Sequence, residues 1–330
     1  MKVLLAVDGS AHALEAARAL SILPVPGPPT SERYVEIVSV MNPPEVALTA
    51  QSELWYPQFL EHQQEMTQAA LSAAQSVFEG TNWHVTTRQE TGHVGHTLTE
   101  LAEDSGVDLI VVGAKGHSTI ERVLLGSVSD YVATHARCSV LVVRPPGLHV
   151  HDQQHAAEAG NTARVHWKQI SVAIDTRPAS KAVLEHLCRY HWNEEQTVTV
   201  LTASVKLEVF REDILATAME EAAQRRTEAL RCAEAATEQL KTCGGNLAAE
   251  TVETDHIGEG LLQAAQSHHS DLIVLGDSGR GPVTRFLLGS TSRYVLRHAH
   301  CSVLVVRGHW HDDEDAGLKG EPAGLPSVTH

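Results

Sequence analysis

The sequence has no excess of basic residues. Its 330 residues include 25 Lys and Arg against 41 Asp and Glu, so the formal net charge is -16. Nucleic acids and anionic membrane surfaces are bound through basic faces, so this balance argues against both as partners. The chain also has no apolar run near the roughly 18 residues that a membrane-spanning helix needs. We therefore expect neither a nucleic-acid-binding protein nor a membrane protein.

Aromatic residues and cysteines are scarce as well. Aromatics make up 4% of the chain although hydrophobic residues make up 42%, so the cores must consist mainly of Val, Leu, Ile and Ala. The five cysteines show no CxxC spacing, and Cys138 and Cys301 each precede a predicted strand, which suits a small buried residue. Lys2 to Val7 predicts a first strand rather than a signal peptide. Together these features predict a cytoplasmic protein without disulfides.

Several catalytic patterns are absent. The chain contains no GxxxxGK[ST] loop, no GxGxxG after its first strand and no GxSxG elbow. No pair of carboxylates stands at a recognisable catalytic spacing, and no general base can be named. We therefore predict no catalytic residues, and at most slow hydrolysis of any bound nucleotide.

The stretch from Asp108 to Arg144 predicts a βαβ unit. It begins and ends with a short apolar run typical of a buried strand; between them Gly113 and Gly116 bracket a tight turn and Gly126-Ser127 opens a helix. Glycine lets the backbone approach an anion closely. The N–H groups and the dipole at the start of a helix favour phosphate. This unit therefore predicts a phosphate-binding turn.

The same unit occurs a second time. Asp271 to Arg307 aligns with the first copy without a gap, and Gly276, Gly279, Gly289 and Ser290 recur at the same spacing. A glycine pattern found once is a weak signal, but the repeat makes it strong. The chain is therefore predicted to consist of domains 1–145 and 168–308, with a linker at 146–167 and a disordered tail at 309–330.

Strands and helices are predicted to alternate within each copy. Ahead of its βαβ unit, the first copy has predicted strands at Tyr34–Val40 and Trp83–Glu90 and helices at Ala11–Leu20, Glu53–Phe78 and Val94–Asp104. The second copy has predicted strands at Ile170–Ile174, Thr197–Leu201 and Leu247–Glu253 and helices at Ser180–Tyr190 and Glu208–Leu240. This alternation is typical of a parallel α/β sheet.

The glycine spacing resembles the nucleotide motif of the ATP-binding branch of the universal stress protein family. The early VDGS and the closing CSVLVVR are similar too, and the resemblance covers both halves but not the linker or the tail. It implies two tandem doubly wound domains, each a five-stranded parallel sheet of strand order 3-2-1-4-5. It also implies an internal pseudo-dimer that pairs Val140–Val143 with Val303–Val306 and hides two sheet edges, with further homodimerisation left open.

The resemblance implies that ATP, with Mg²⁺, binds between strands one and four. This crevice lies outside the strand ends, where the strand order reverses. Carried over by position, the predicted phosphate ligands are Gly113, Gly116, Gly126, Ser127 and the hydroxyl of Ser129. The residues predicted to border adenine and ribose are Ala6, Asp8 and Val40. Lys115, His117 and Arg122 lie in the loop over the phosphates, where they either steady charge or are solvated.

The second copy departs from the pattern. Its predicted ligands are Asp175, Gly276, Gly279, Gly289, Ser290 and Ser292, with Ala203 at the place of Val40. Asp175 is followed by Thr-Arg-Pro instead of Gly-Ser, and Asp277 puts a carboxylate where it would repel phosphate. Positive charge at Arg280, Arg285 and Arg293 acts against that repulsion. We therefore expect a weaker second site.

The 21 histidines raise the question of metal binding. Clusters at His149–His155 and His309–His311 lie near aspartates, and imidazole with carboxylate suits zinc or nickel. Both clusters fall in the predicted linker and tail, which lack fixed geometry, so we predict no metal site. Four other histidines match between the copies and are predicted to serve structural roles at helix ends: His93 with His256, and His135 with His298.

The sequence thus favours an ATP-binding protein of cytoplasmic stress response or regulation. Two alternatives stay open. One is a scaffold that binds partners without nucleotide and keeps vestigial sites. The other is a nucleotide hydrolase or transferase of the wider adenine-nucleotide-binding superfamily. The intact glycine motif favours binding over the scaffold, and the lack of a catalytic constellation favours binding over an enzyme.

Overall fold

The computed structural model describes residues 1–24, 32–44, 52–116, 125–145, 166–190, 192–206, 212–277 and 288–308. The predicted tail, nearly all of the predicted linker, and Gly279 lie outside these residues. Within them, strands and helices alternate in each half as the sequence predicts. None of the described helices is long and apolar enough to cross a membrane.

The two halves repeat one series of elements. The first half contains β1 Lys2–Ala6, α1 Ala11–Ser21, β2 Arg33–Met41, α2 Ser52–Ser76, β3 Trp83–Thr91, α3 Val94–Asp104, β4 Leu109–Gly113, α4 Ser127–His135 and β5 Ser139–Val143. The second half contains β6 Gln169–Ala173, α5 Pro178–Leu187, β7 Trp192–Val205, α6 Glu212–Leu240, β8 Gly244–Thr254, α7 Ile257–Ser267, β9 Leu272–Gly276, α8 Ser290–His298 and β10 Ser302–Val306.

The ten strands of the described residues belong to one sheet, in the order β3-β2-β1-β4-β5-β10-β9-β6-β7-β8. The predicted order 3-2-1-4-5 is therefore confirmed in each half. Neighbours are parallel except at the centre, where β5 and β10 are antiparallel and Leu141 lies opposite its repeat equivalent Leu304. Val142 pairs with Val303 and Val140 with Val305, which is the self-complementary pairing of a twofold interface. The halves thus form the predicted internal pseudo-dimer.

The central strands of the sheet are buried on both faces. One core lies under α1, α2, α5 and α6, and the other lies under α3, α4, α7 and α8. Leu141 and Leu304 contribute to the first core, and Val140 and Val303 to the second. Because successive side chains of a strand point to opposite faces, the apolar runs VLVV serve both cores at once.

Several predicted boundaries differ from the structure. β7 is 14 residues long rather than the predicted five-residue run, since Trp192 pairs with Gly244 across an irregularity that ends at Thr197. The polar residues between them do not alternate with apolar ones, so the pattern misses this part of the strand. Trp167, the last residue of the predicted linker, is buried against the first half, and its indole donates to the Ala19 carbonyl at 3.0 Å.

Candidate functional site

The first half contains a cavity of about 320 Å³ at the carboxyl ends of β1, β2 and β4, beside the start of α4. Since β2 and β4 lie on opposite sides of β1, this is the point where the strand order reverses. All eight residues predicted for the first site line this cavity: Ala6, Asp8, Val40, Gly113, Gly116, Gly126, Ser127 and Ser129. The fold therefore brings the predicted residues together.

One wall of the cavity is apolar. Val38 on β2 and Val94 and Leu98 on α3 join Val40 there, and none of these three was predicted from the sequence. Ile257 and Leu261, which line the second cavity, hold the repeat positions of Val94 and Leu98. This match between the copies is the sequence signal from which the apolar wall could have been predicted.

Two hydrogen bonds set the turn between β4 and α4. The Gly126 amide donates to the Ala114 carbonyl at 2.7 Å, and the buried Ser129 hydroxyl donates to the Gly113 carbonyl at 2.6 Å. The hydroxyl proton of Ser129 is therefore already donated to a backbone carbonyl of the protein. Its N-cap residue is Gly126, and no described side chain caps α4, so the amides of its first turn have no partner within the helix; the residues that carry them line the cavity. Such amides favour an anion.

The glycines of the turn are required for different reasons. A Cβ on Gly113 would lie 2.7 Å from the His12 carbonyl carbon, so this glycine lets α1 pack against the end of β4. A Cβ on Gly116 would lie 2.5 Å from Oδ2 of Asp8, and one on Gly126 would lie 3.2 Å from the Ala114 oxygen. Gly113 therefore lets a helix pack against the strand end, whereas a side chain on Gly116 or Gly126 would crowd the residues that line the cavity.

The charged residues of the first cavity are Asp8 and Lys115, among the described lining residues. The Ser10 amide donates to Oδ1 of Asp8 at 2.9 Å and orients the carboxylate. Nearby, burial lowers the pKa of His12, the charges of Lys115 and Arg144 lower it further, and Asp8 partly opposes them. The buried Nδ1 of His12 has no hydrogen-bond partner among the described residues. His117 and Arg122 lie outside those residues.

The second half contains an equivalent cavity of about 550 Å³. Five of its six predicted residues line it, together with Ala203: Asp175, Gly276, Gly289, Ser290 and Ser292. Gly279 lies outside the described residues. The turn is built as in the first half, since the Gly289 amide donates to the Asp277 carbonyl at 2.6 Å and the Ser292 hydroxyl to the Gly276 carbonyl at 2.7 Å.

The second cavity has its own pair of charges. Arg177, which sequence reasoning noted only as a departure, lines the cavity and forms an ion pair with Asp175. The same carboxylate accepts the Arg177 amide at 2.8 Å and the Ser180 hydroxyl at 2.9 Å. The charge of Asp175 is therefore balanced by Arg177, which lies two residues later in the same loop.

The described residues do not support the repulsion expected from Asp277. Asp277 is buried, does not line the described part of the cavity, and pairs with Arg307 through a 3.1 Å contact. A buried carboxylate with a bonded guanidinium presents little net charge to a neighbouring ligand. Arg293 also does not line the described part of the cavity, and Arg280 and Arg285 lie outside the described residues.

The family model of the Universal stress protein family matches residues 1–144 and 166–307. The chain belongs to this family. A universal stress protein of Mycobacterium tuberculosis is 26% identical over 211 residues, which cover 64% of this chain and 65% of that relative. The chain thus spans slightly less than two thirds of that relative's length. A universal stress protein of Methanocaldococcus jannaschii is 34% identical over 146 residues, or 44% of this chain and 82% of the relative.

Solved structures of the family share the tandem fold. A universal stress protein from Archaeoglobus fulgidus superposes with a TM-score of 0.55 at 18% identity, covering 93% of this chain and 97% of that one. A crystal structure from Pseudomonas aeruginosa described as a putative universal stress protein gives 0.51 at 16% identity, covering 92% of each chain. At these identities the likeness shows the fold alone.

In this universal stress protein the matched histidines lie at helix ends, as predicted. His93 and His256 are the N-cap residues of α3 and α7, and His256 accepts from the Glu259 amide at 3.3 Å. His135 and His298 end α4 and α8, and each stacks on a tyrosine one turn earlier, with centroid distances of 4.1 and 4.2 Å.

The described residues contain no group of three or more side chains suited to a metal. The clustered linker and tail histidines lie outside them.

The repeated cysteines are structural. Cys138 and Cys301 are each buried, as predicted. Burial raises the pKa of their thiols to about 11 and about 12, respectively. The thiolate is the reactive form of cysteine, so neither residue is suited to redox chemistry near neutral pH.

Proposed function

We propose that this universal stress protein binds adenine nucleotide, as Mg-ATP, in both cavities and acts in a cytoplasmic stress response. The observation that carries the proposal is the duplicated turn. Each half places an uncapped helix start and a glycine turn beside a cavity where the strand order reverses.

The polar part of each cavity suits phosphate. The amides of the first turn of α4 and the side chain of Lys115 face the first cavity, and the first turn of α8 and Arg177 face the second. Helix starts and cations bind phosphate through hydrogen bonds and opposite charge. Magnesium takes oxygen ligands and keeps several of its waters, so Asp8, the Ser127 hydroxyl and the phosphate oxygens suit it.

The remaining part of the first cavity suits an adenine ring. Val38, Val40, Val94 and Leu98 form a continuous apolar wall next to the polar turn. Ligand pockets are typically lined by apolar side chains with a few convergent polar groups, at volumes from about 300 to 1,000 Å³. Both cavities fall within this range.

We propose that hydrolysis is at most slow. Among the described lining residues of the first cavity, Asp8 is the one carboxylate, and one of its oxygens already accepts the Ser10 amide. His12 is nearby, but its Nδ1 is buried. Fast phosphoryl transfer needs a group that orients or activates the attacking water.

Calorimetric titration of nucleotide-free protein with Mg-ATP tests this proposal. We expect two sites per chain in the wild type, loss of the first in Gly126→Val and loss of the second in Gly289→Val, because each glycine lines its cavity at the start of a helix and a valine there would crowd the turn. Gly106→Asn is the matched control, since Gly106 has a φ of +59° that asparagine tolerates and open space beside it. It should bind as the wild type does. Absence of heat in the wild type would refute the proposal and favour the scaffold.

A further inference from the structure

A buried arginine of the second half bonds a helix of the first. Arg307 follows β10, and its Nη1 lies 3.1 Å from Oδ2 of the buried Asp277. Its Nη2 donates to the carbonyls of Ala133 at 2.9 Å and Thr134 at 3.1 Å, both in the last turn of α4. One guanidinium therefore joins the second half's glycine turn to α4.

Each end of this link leads to a cavity. The Asp277 carbonyl accepts the amide of Gly289, the N-cap residue of α8, and the first turn of α8 lines the second cavity. At the other end α4 runs back from Thr134 to Ser127, whose turn lines the first cavity. A helix of this length spans about 13 Å. The contacts thus run from cavity to cavity without interruption.

The equivalent arginine of the first half, Arg144, has different contacts. Arg144, at the repeat position of Arg307, donates from Nη2 to the Leu296 carbonyl at 2.5 Å, and Leu296 is the equivalent of Ala133. The equivalent of Asp277, however, is Ala114, which has no carboxylate. Among the described residues, the link from a glycine turn through a paired carboxylate to this arginine is therefore found in the second half.

A buried ion pair resists separation. Moving one partner away leaves an uncompensated charge in a low-dielectric environment, which is strongly unfavourable. A ligand that shifts the turn at Asp277 would therefore carry Arg307 with it instead of breaking the pair. Because Arg307 also holds two carbonyls of α4, the shift reaches the helix that lines the first cavity.

We propose that occupancy of the second cavity changes the nucleotide affinity of the first through Asp277, Arg307 and α4, which makes the second half a regulatory site. The inference rests on the proposed function, since it requires both cavities to bind nucleotide. Asp277 and Arg307 act as positioning residues. By linkage, occupancy of the first cavity changes the affinity of the second by the same factor.

A double-mutant cycle on the full chain tests the coupling. Mg-ATP is titrated calorimetrically into the wild type, Gly289→Val, Asp277→Asn and the double variant, and the first cavity is identified as the site lost in Gly126→Val. Emptying the second cavity by Gly289→Val should change the affinity of the first by about fivefold or more. With Asp277→Asn present, Gly289→Val should change it no further.

Two further variants complete the test: one is a control, and the other replaces Asp277→Asn if that variant does not fold. Arg297→Ala removes a surface ion pair to Asp130, 2.8 Å long, that crosses the same boundary without touching Asp277, and it should leave the coupling intact. If Asp277→Asn does not fold, Arg307→Lys replaces it, because an ammonium keeps the charge but lacks the fork that spans three acceptors.

The outcomes separate the two proposals. Two sites with independent affinities, or coupling that persists in Asp277→Asn or disappears in Arg297→Ala, would overturn the inference and leave nucleotide binding standing. No binding by the wild type would overturn the proposed function and the inference with it.

Discussion

In each half, one serine hydroxyl stabilises the glycine turn. Ser129 and Ser292 are buried, and each donates to the carbonyl of the glycine that ends the preceding strand. These bonds fix the start of α4 and α8 relative to β4 and β9. They therefore set where the amides of each helix start face the cavity.

Removing the hydroxyl of Ser129 or Ser292 should destabilise the protein. We expect Ser129→Ala and Ser292→Ala each to lower the free energy of unfolding by about 1–2 kcal/mol, because a partly buried carbonyl loses its donor. Denaturant unfolding measures this change. Ser76→Ala, which removes an exposed hydroxyl bonded to the Ala73 carbonyl, should have little effect. Equal effects of all three variants would contradict the role assigned to the buried pair.

His12 should make stability depend on pH. Its pKa lies below the ordinary value of 6.5, chiefly because of burial and then because of the charges of Lys115 and Arg144. As the pH falls below about 6.5, the unfolded state takes up this proton before the folded state does, so stability decreases. His12→Gln should flatten the decrease between about pH 7.5 and 5.5. Parallel stability curves for the two proteins would contradict this account.

At the scale of elements, two helix pairs meet through glycine. A Cβ on Gly95 of α3 would lie 2.6 Å from Cδ1 of Tyr131 on α4, and Gly258 and Tyr294 repeat the same contact between α7 and α8. The absence of a side chain lets these helices approach closely beside the cavities. The tyrosine rings then stack on the histidines that end α4 and α8.

Filling this contact should destabilise the protein. We expect Gly95→Ala to cost about 1–3 kcal/mol, because the Tyr131 ring must move. This exceeds the gain of up to about 1 kcal/mol from helix propensity. Thermal unfolding measures the change. With Tyr131→Ala present, the same glycine substitution should cost nothing; an equal cost in both backgrounds would show that the ring is not the cause.

The sequence predicts the elements that local patterns encode. The glycine spacing and short apolar runs identified β4, α4 and β5 because these features act within a few residues. The start of β7 at Trp192 was missed because its pairing with Gly244 depends on the assembled sheet. Asp277 was misplaced for the same reason, since its partner Arg307 comes from another strand.

At the scale of the whole molecule, the halves share their cores. Both hydrophobic clusters contain residues of both halves, and the antiparallel seam of β5 and β10 joins them at the centre of the sheet. This seam was predicted from the resemblance to the universal stress protein family, since that resemblance implied that the last strands of the two halves pair. The one-sided link through Arg307 was not predictable, because it arises from a tertiary contact at a position where the copies differ.

The shared cores predict one cooperative unfolding transition. Scanning calorimetry should give a single peak whose calorimetric and van't Hoff enthalpies agree. Leu141→Ala, at the buried seam, should lower the midpoint of that peak, since such truncations cost about 2–5 kcal/mol. Two separate transitions in the wild type would show that the halves unfold independently.

The central claim is that each half holds a nucleotide site, and the number of nucleotides bound per chain tests it most directly. Equilibrium dialysis of nucleotide-free protein against labelled ATP with magnesium gives this number at saturation. The account predicts two ATP molecules per chain. A chain that binds one ATP or none would contradict it.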